Sequence, residues 1–371
     1  MKKLNFVLVM LIVVLAVAAC APQAAPEPAA PAAEEAAPAE EAAPAEEAAP
    51  VEEAPAEEAP AAEPATGTIT LYTSEPEDKV NEMVADFNAL YPDVTVNVFR
   101  SGSGEVIAKI QAEKEAGEIQ ADLIWFADID FFAKLAEEGL MMEYSPVGSD
   151  AVDAMYHYNG DRYQEVRVIF NVIAYNTAAV TTPPTSWKDL LKPEYSGKVG
   201  MPSALYSGAA FNQVGTLLNM PEFGIQYYED LNANKVVVER GNGAVQTKIA
   251  SGEFVIGQLV DFMARDVKNA GSPVDHIWPV EGAMLVPTPL GIISTTKNPG
   301  GAKAFMDYMY TESAQNLFAK QGYLSVMEGI EPPAGTPDMA NFKVLMPDLT
   351  YISANRDKIR SEFERIYGVA E

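Results

Sequence analysis

Cysteine is almost absent from this chain: Cys20 is the only one in 371 residues. The remainder therefore holds no disulfide and no thiolate metal centre. Histidine occurs only at His157 and His276, too few for an imidazole cluster. Basic residues are scarce, with 25 Lys and Arg against 53 Asp and Glu and a net charge of −28. Without a basic stripe to release counterions, nucleic acid is not expected as a partner. No apolar run reaches the roughly 20 residues of a membrane-spanning helix. There is no Gly-x-Ser-x-Gly elbow and no phosphate loop ending in Gly-Lys-Ser or Gly-Lys-Thr. His157 sits among Tyr156, Tyr158 and Asn159 and reads as a surface residue, and His276 as a structural one. Neither a catalytic group, a metal site nor a cofactor is expected.

What is present begins with Met1-Lys2-Lys3 and an apolar run from Phe6 to Ala19. Charge followed by a short apolar stretch reads as a secretory signal over residues 1–19. Its end, Leu15-Ala16-Val17-Ala18-Ala19-Cys20, resembles the lipobox of bacterial lipoproteins, which implies cleavage before Cys20 and acylation of it. Several acyl chains together give stable anchoring. Residues 20–66 are then a tether, almost wholly Ala, Pro and Glu after the cysteine. Such a segment cannot bury enough apolar surface to offset its chain entropy, and its prolines stop the Ala/Glu pieces from joining into a helix. Removing the twelve glutamates of the tether and the two lysines of the leader leaves −18 on residues 67–371. The folded part is expected outside the cytoplasm.

The remaining stretch of about 305 residues suits one large domain or two lobes. Thr68–Thr73 alternates and is rich in β-branched residues, which predicts a strand. Pro76 and the acids after it open a helix whose apolar positions are Val80, Met83, Val84, Phe87 and Leu90. Val94–Phe99 is a second strand, Ser101-Gly102-Ser103-Gly104 turns into a second helix, and Ala121–Phe126 is a third, nearly all-apolar strand. Strands separated by helices predict a parallel, doubly wound α/β sheet. Val166–Asn176 is long enough to leave one lobe and enter another, and His276–Gly282 is expected to cross back.

Several segments, in order, resemble the solute-binding proteins of bacterial ABC importers, in the group containing the ferric-ion-binding proteins. They are Tyr72-Thr73-Ser74, Arg100–Glu105, Ala121-Asp122-Leu123, Val172–Thr177, Pro183–Leu190 and Tyr195–Lys198. The resemblance implies a type II periplasmic-binding-protein fold: two doubly wound α/β lobes joined by a hinge, with a solute trapped between them. By analogy, residues 67–168 plus 283–320 form one lobe and 172–276 the other, with the helices of 321–371 bracing both. It also implies a monomer that delivers its solute to an ABC permease and its ATPase.

In the ferric group two adjacent tyrosines hold the metal. At the matching place this chain has Val260-Asp261-Phe262-Met263, which offers no phenolate for a hard trivalent cation. The only adjacent pair in that lobe, Tyr227-Tyr228, falls in a helix. Relatives without the pair resemble binders of 2-aminoethylphosphonate and sugar phosphates. The loops themselves suit an anion: Ser101-Gly102-Ser103 and Ser207-Gly208-Ala209 each lead from a strand into a helix, where free N–H groups and the dipole favour negative charge. With Ser74 at the end of the first strand, these residues are the expected anion contacts. Asp261 is expected to meet an ammonium or hydroxyls at the other end of the solute, and Trp125 or Phe126 to wall its middle. The alternatives are a ferric-iron receptor, a secreted enzyme acting on phosphate esters, and a structural surface lipoprotein. If the tether is only a spacer, a chain beginning at Gly67 is expected to bind its solute with unchanged affinity in calorimetry, whereas a tenfold loss would mean that the tether packs on the domain.

Overall fold

A computed structural model describes residues 65–337 and 342–368. The leader, Cys20 and nearly all of the tether lie outside the described residues. The chain runs β1 (Gly67–Thr73), α1 (Glu77–Leu90), β2 (Val94–Arg100), α2 (Ser103–Glu115), β3 (Leu123–Trp125), α3 (Ile129–Glu137), β4 (His157–Tyr158), β5 (Tyr163–Gln164) and β6 (Arg167–Asn176). It continues through β7 (Val199–Pro202), α4 (Gly208–Asn219), α5 (Gly224–Ala233), β8 (Val237–Glu239), α6 (Asn242–Ser251), β9 (Ile256–Val260), α7 (Asp261–Asn269), β10 (Val274–Ile277), β11 (Ala283–Val286) and β12 (Leu290–Ile292). It ends with α8 (Pro299–Met309), α9 (Glu312–Lys320), β13 (Leu324–Ser325), β14 (Val344–Leu345), α10 (Leu349–Ala354) and α11 (Arg356–Tyr367).

The elements follow their apolar periods. In β1, Ile69 and Leu71 are fully buried, and the strand pairs in parallel with β2 along its whole length. In α1 the buried residues are Val80, Met83 and Phe87, one stripe of a helix, with Glu77 and Asp78 in the first turn where the dipole favours acids. Ser186 and Asp189 form a capping box that starts a short 3₁₀ turn at Trp187, whose side chain is fully buried.

Two sheets result, one per lobe. The first has the order β2-β1-β3-β12-β5-β4 and the second β14-β11-β6-β9-β7-β8. Both are mixed rather than purely parallel. Each contains a parallel set laid down within one lobe, β1 with β2 and β3, and β7 with β8 and β9, while β4 and β5 form an antiparallel pair at the edge of the first sheet. Strands arriving from the other lobe enter antiparallel, as β6 does beside β9 and β12 beside β3.

The first crossing lies where the long apolar stretch predicted it, between β5 in the first sheet and β6 in the second. The return does not. His276 and Ile277 belong to β10, paired with β6, and Ala283–Val286 is still a strand of the second sheet. The chain crosses back at Pro287-Thr288-Pro289 and enters the first sheet as β12. The reason is local: Ala283–Val286 is buried throughout and needs a sheet on which to lie, whereas the flanking prolines have no N–H for a ladder and end it. The C-terminal segments touch both lobes. Helices α10 and α11 pack on α4, and Arg356 donates to Asp128 (2.8 Å) and Asp130 (3.3 Å) at the start of α3.

The two crossings are bonded to each other. Thr288 N–H donates to both oxygens of Glu165, at 2.9 and 3.0 Å. Burial pushes the Glu165 carboxyl up to about 8. The folded state therefore holds a proton that the unfolded chain loses near pH 4.3. Its contribution is fully present below that pH and is lost as pH rises through 8, with a slope of up to about 1.4 kcal/mol per pH unit. His276, which burial pushes down to about 4, works in the opposite sense between pH 4 and 6.5, so comparison with a variant isolates the carboxyl. Urea titrations from pH 5 to 8 are expected to show less decline for Glu165→Gln than for the parent; parallel curves would contradict this.

Asp261 begins α7 and is fully buried. Its Oδ1 accepts from Phe170 N–H (3.0 Å) and its Oδ2 from Arg265 (2.6 Å), one turn along the same helix. Asp261→Asn leaves a buried guanidinium unpaired and is expected to cost about 3–5 kcal/mol, read as a lower urea midpoint. An unchanged midpoint would refute the role.

Candidate functional site

A cavity of about 490 Å³ lies between the lobes. It is built at strand ends, where open α/β sheets leave crevices. From the first lobe come Ser74–Glu77 between β1 and α1, Arg100, Gly102 and Ser103 between β2 and α2, and Ala127 ahead of α3. From the second come Tyr206–Ala209 ahead of α4, Arg240–Ala244 ahead of and into α6, and Val260, Phe262 and Met263 around the start of α7. Ile169 of β6 and Thr288 of the return crossing complete it. Six helices, α1, α2, α3, α4, α6 and α7, thus bring their N-terminal ends to one space, each with first-turn N–H groups that have no acceptor within the helix.

Glycine lets the lobes meet. A side chain on Gly208 would run into the Ala127 carbonyl, and one on Gly102 into the Tyr206 ring. Gly104 N–H donates across the cleft to Tyr206 O at 3.2 Å. At the same lip Arg240 stacks on the Tyr206 ring (4.6 Å) and pairs with Glu105 of the other lobe. The Ser101 hydroxyl and the Arg240 guanidinium hold the Glu105 carboxyl below the usual carboxylate range.

The expected residues divide. Ser74, Gly102, Ser103, Ser207, Gly208 and Ala209 line the cavity together. Ser207 is also the cap of α4, accepting from Ala210 N–H, and Asn242 Nδ2 donates to it at 3.1 Å. Ser103 is free of capping duty, because the cap of α2 is Gly102 and makes no side-chain bond. Ser101 does not line the cavity; its hydroxyl turns to Glu105. Trp125 does not line it either. It is buried below, donating to Thr288 O at 3.1 Å with Arg167 over its ring, and Phe126 is buried among α3 aromatics. Asp261, expected at the solute, is instead engaged within the core by Phe170 and Arg265. The Tyr227-Tyr228 pair is buried in α5, where Tyr227 donates to Trp187 O at 2.9 Å.

Two arginines were not singled out from the sequence. Arg100 is exposed, lines the cavity and donates through Nε to Glu75 O at 2.9 Å; Arg240 faces it from the other lobe's lip. The signal was available: each stands directly before a glycine-containing stretch, Ser101-Gly102 or Gly241-Asn242-Gly243, at the end of an apolar β-branched run. Asn242 adds a buried Oδ1 without a partner among the described residues.

The sequence profile of the bacterial extracellular solute-binding proteins matches residues 82–344. The spermidine/putrescine-binding periplasmic protein 1 of Haemophilus influenzae is 29% identical over 281 residues, covering 70% of this chain and 75% of that one. The putative 2-aminoethylphosphonate-binding periplasmic protein of Salmonella paratyphi A is 24% identical over 236 residues, covering 60% and 66%. The periplasmic binding protein AfuA of Actinobacillus pleuropneumoniae, solved with fructose-6-phosphate, shares the fold with a TM-score of 0.74 at 22% identity, over 82% of this chain and 99% of that one. A family match across most of the folded residues, on two lobes that enclose a cleft, makes this chain a member of the bacterial extracellular solute-binding proteins.

Proposed function

We propose that this protein is the solute receptor of an ABC importer, a binding protein and not an enzyme, held to the outer face of a membrane by lipid on Cys20. In this reading it is a monomer that captures a small phosphorylated or phosphonylated organic anion between its lobes and presents it to a permease. The observation that carries the reading is the convergence of helix starts from both lobes on one cavity that also holds Arg100 and Arg240. Backbone N–H groups at helix starts bind anions, and guanidinium forks match phosphate geometry. Ligand that bridges the lobes draws them together because only the closed state makes both sets of contacts.

Two readings suggested by relatives find less support. A polyamine needs buried carboxylates free to pair, yet of the two that line the cavity Glu75 is already paired with Arg167 and Tyr323 and Glu77 is exposed to water. Ferric iron needs phenolates or other anionic oxygen. Tyr206 is the one tyrosine lining the cavity among the described residues, and it lies under a guanidinium.

Ser103→Ala removes a donor to a charged oxygen, worth about 1.5–3 kcal/mol, without removing a helix cap. Calorimetry with 2-aminoethylphosphonate and phosphate monoesters is expected to show roughly tenfold or greater weakening, with an unchanged urea midpoint. A thermal-shift comparison with ferric citrate and spermidine tests the class: stabilisation by either of these, and by no phosphorus compound, would overturn the proposal.

A further inference from the structure

The anion-binding reading leaves the carbon part of the solute open, and the hinge side of the same cavity bears on it. That side is made by Ile169, Val260, Phe262 and Met263, with Glu75 and Thr288 as its polar members. Both polar groups are already engaged. One Glu75 oxygen pairs with Arg167 and the other accepts from Tyr323 Oη at 2.9 Å. Thr288 Oγ1 accepts from Arg167 Nη1 at 2.9 Å and donates to Glu165 at 3.4 Å, while its carbonyl accepts from the Trp125 indole. The Phe262 ring packs on Tyr323 with centroids 4.4 Å apart. Lys79, whose Nζ lies 5.5 Å from the Phe262 centroid, is held by Asp266 and by Gln321 O.

We infer that the solute is a phosphate monoester or phosphonate whose carbon part is apolar, an aromatic ring or a short alkyl group, and not a polyol or an amine. This rests on the anion-binding reading. A polyol seated here would bury hydroxyls against apolar side chains and two polar groups that have no unengaged donor and already hold partners, so part of its hydrogen bonding would go unmet, which costs binding. Sites that select hydroxylated ligands do so with unengaged donors and acceptors. An ammonium would meet Glu75 with its charge already balanced by Arg167. The nearby unengaged carboxylate, Glu77, is exposed, where water screens the attraction. An apolar group gains from the same wall, since it removes the Phe262 and Met263 surfaces from water and leaves no polar atom unpaired.

The test is calorimetry on the whole chain with phenyl phosphate, glucose 6-phosphate, 2-aminoethylphosphonate and inorganic phosphate. Phenyl phosphate is expected to bind at least tenfold more tightly than each of the other three. Glucose 6-phosphate or 2-aminoethylphosphonate binding as tightly as phenyl phosphate would overturn the inference while leaving the anion reading standing. So would phenyl phosphate binding no more tightly than inorganic phosphate. Failure of all four to bind would overturn the anion reading and this inference with it. Met263→Ser, at a half-buried position, is expected to weaken phenyl phosphate about fivefold more than inorganic phosphate. Equal loss for both would show that Met263 acts on the fold and not on the carbon part.

Discussion

Arg167 has no contact with water, yet it carries its charge at the point where the two lobes join. It is the first residue of β6, directly after the first crossing, and it pairs with Glu75 in the loop that follows β1. Its Nη1 reaches Thr288 in the return crossing, and its guanidinium lies between the rings of Trp125 (5.1 Å) and Tyr323 (4.3 Å). A buried charge left alone would be prohibitive, and breaking such a pair by removing one partner costs about 3–5 kcal/mol. The loop before α1, both crossings and the strand β13 beside β6 are therefore held in one register by one side chain. Stability is not the main consequence, since apolar replacement of such pairs is often neutral. Position is: the floor of the cavity cannot shift without disturbing this network.

With the floor fixed, the lips can be simple. The upper contacts between lobes are backbone against backbone at Gly208 and Ala127, one hydrogen bond from Gly104, and the Arg240–Glu105 pair. That pair is about half exposed on both sides and so contributes little. The small net value of these contacts leaves the balance between open and closed lobes to be set by what sits between them. Arg356 adds a more buried tie from the C-terminal helices to Asp128 and Asp130, outside the cavity.

Much of this was legible in the residues. The β-branched and apolar runs marked β1, β2, β3 and β6, and Ser-Gly pairs marked the helix starts at Ser103 and Gly208, because period and glycine placement are local properties. What failed was relational. A carboxylate in the first turn of a helix reads alike whether it meets solute or bonds to a neighbouring strand, and Asp261 does the latter. Arg265, four residues on, was the visible hint, since that spacing puts both on one helix face. Trp125 went wrong by parity. In β3, Leu123 and Trp125 share one face and Ile124 takes the other, but nothing in three apolar residues says which face meets the cavity. The return crossing was placed too early because Ile277 and Ala283–Val286 are equally apolar; the prolines at 287 and 289 were the better marker.

The mixed sheets and the cavity's chemistry have a common origin. A strand that crosses between lobes must enter the second sheet antiparallel to its neighbours, so its own end does not supply a strand-to-helix loop there. Loops of that kind come only from strands laid down within each lobe, and they are the ones at Ser74, Gly102, Ala127, Ser207 and Gly241. The crossings themselves, at Ile169 and Thr288, contribute the floor. Their polar groups satisfy one another, as Glu165, Arg167 and Thr288 do, because they are buried away from water. A cavity made in this way has helix-start N–H groups and two guanidinium groups on its walls, while the charged and polar groups of its floor are engaged with one another. In the proposed reading, the anionic end of a solute and its carbon end meet different parts of the chain, the first the helix-start loops and the second the hinge.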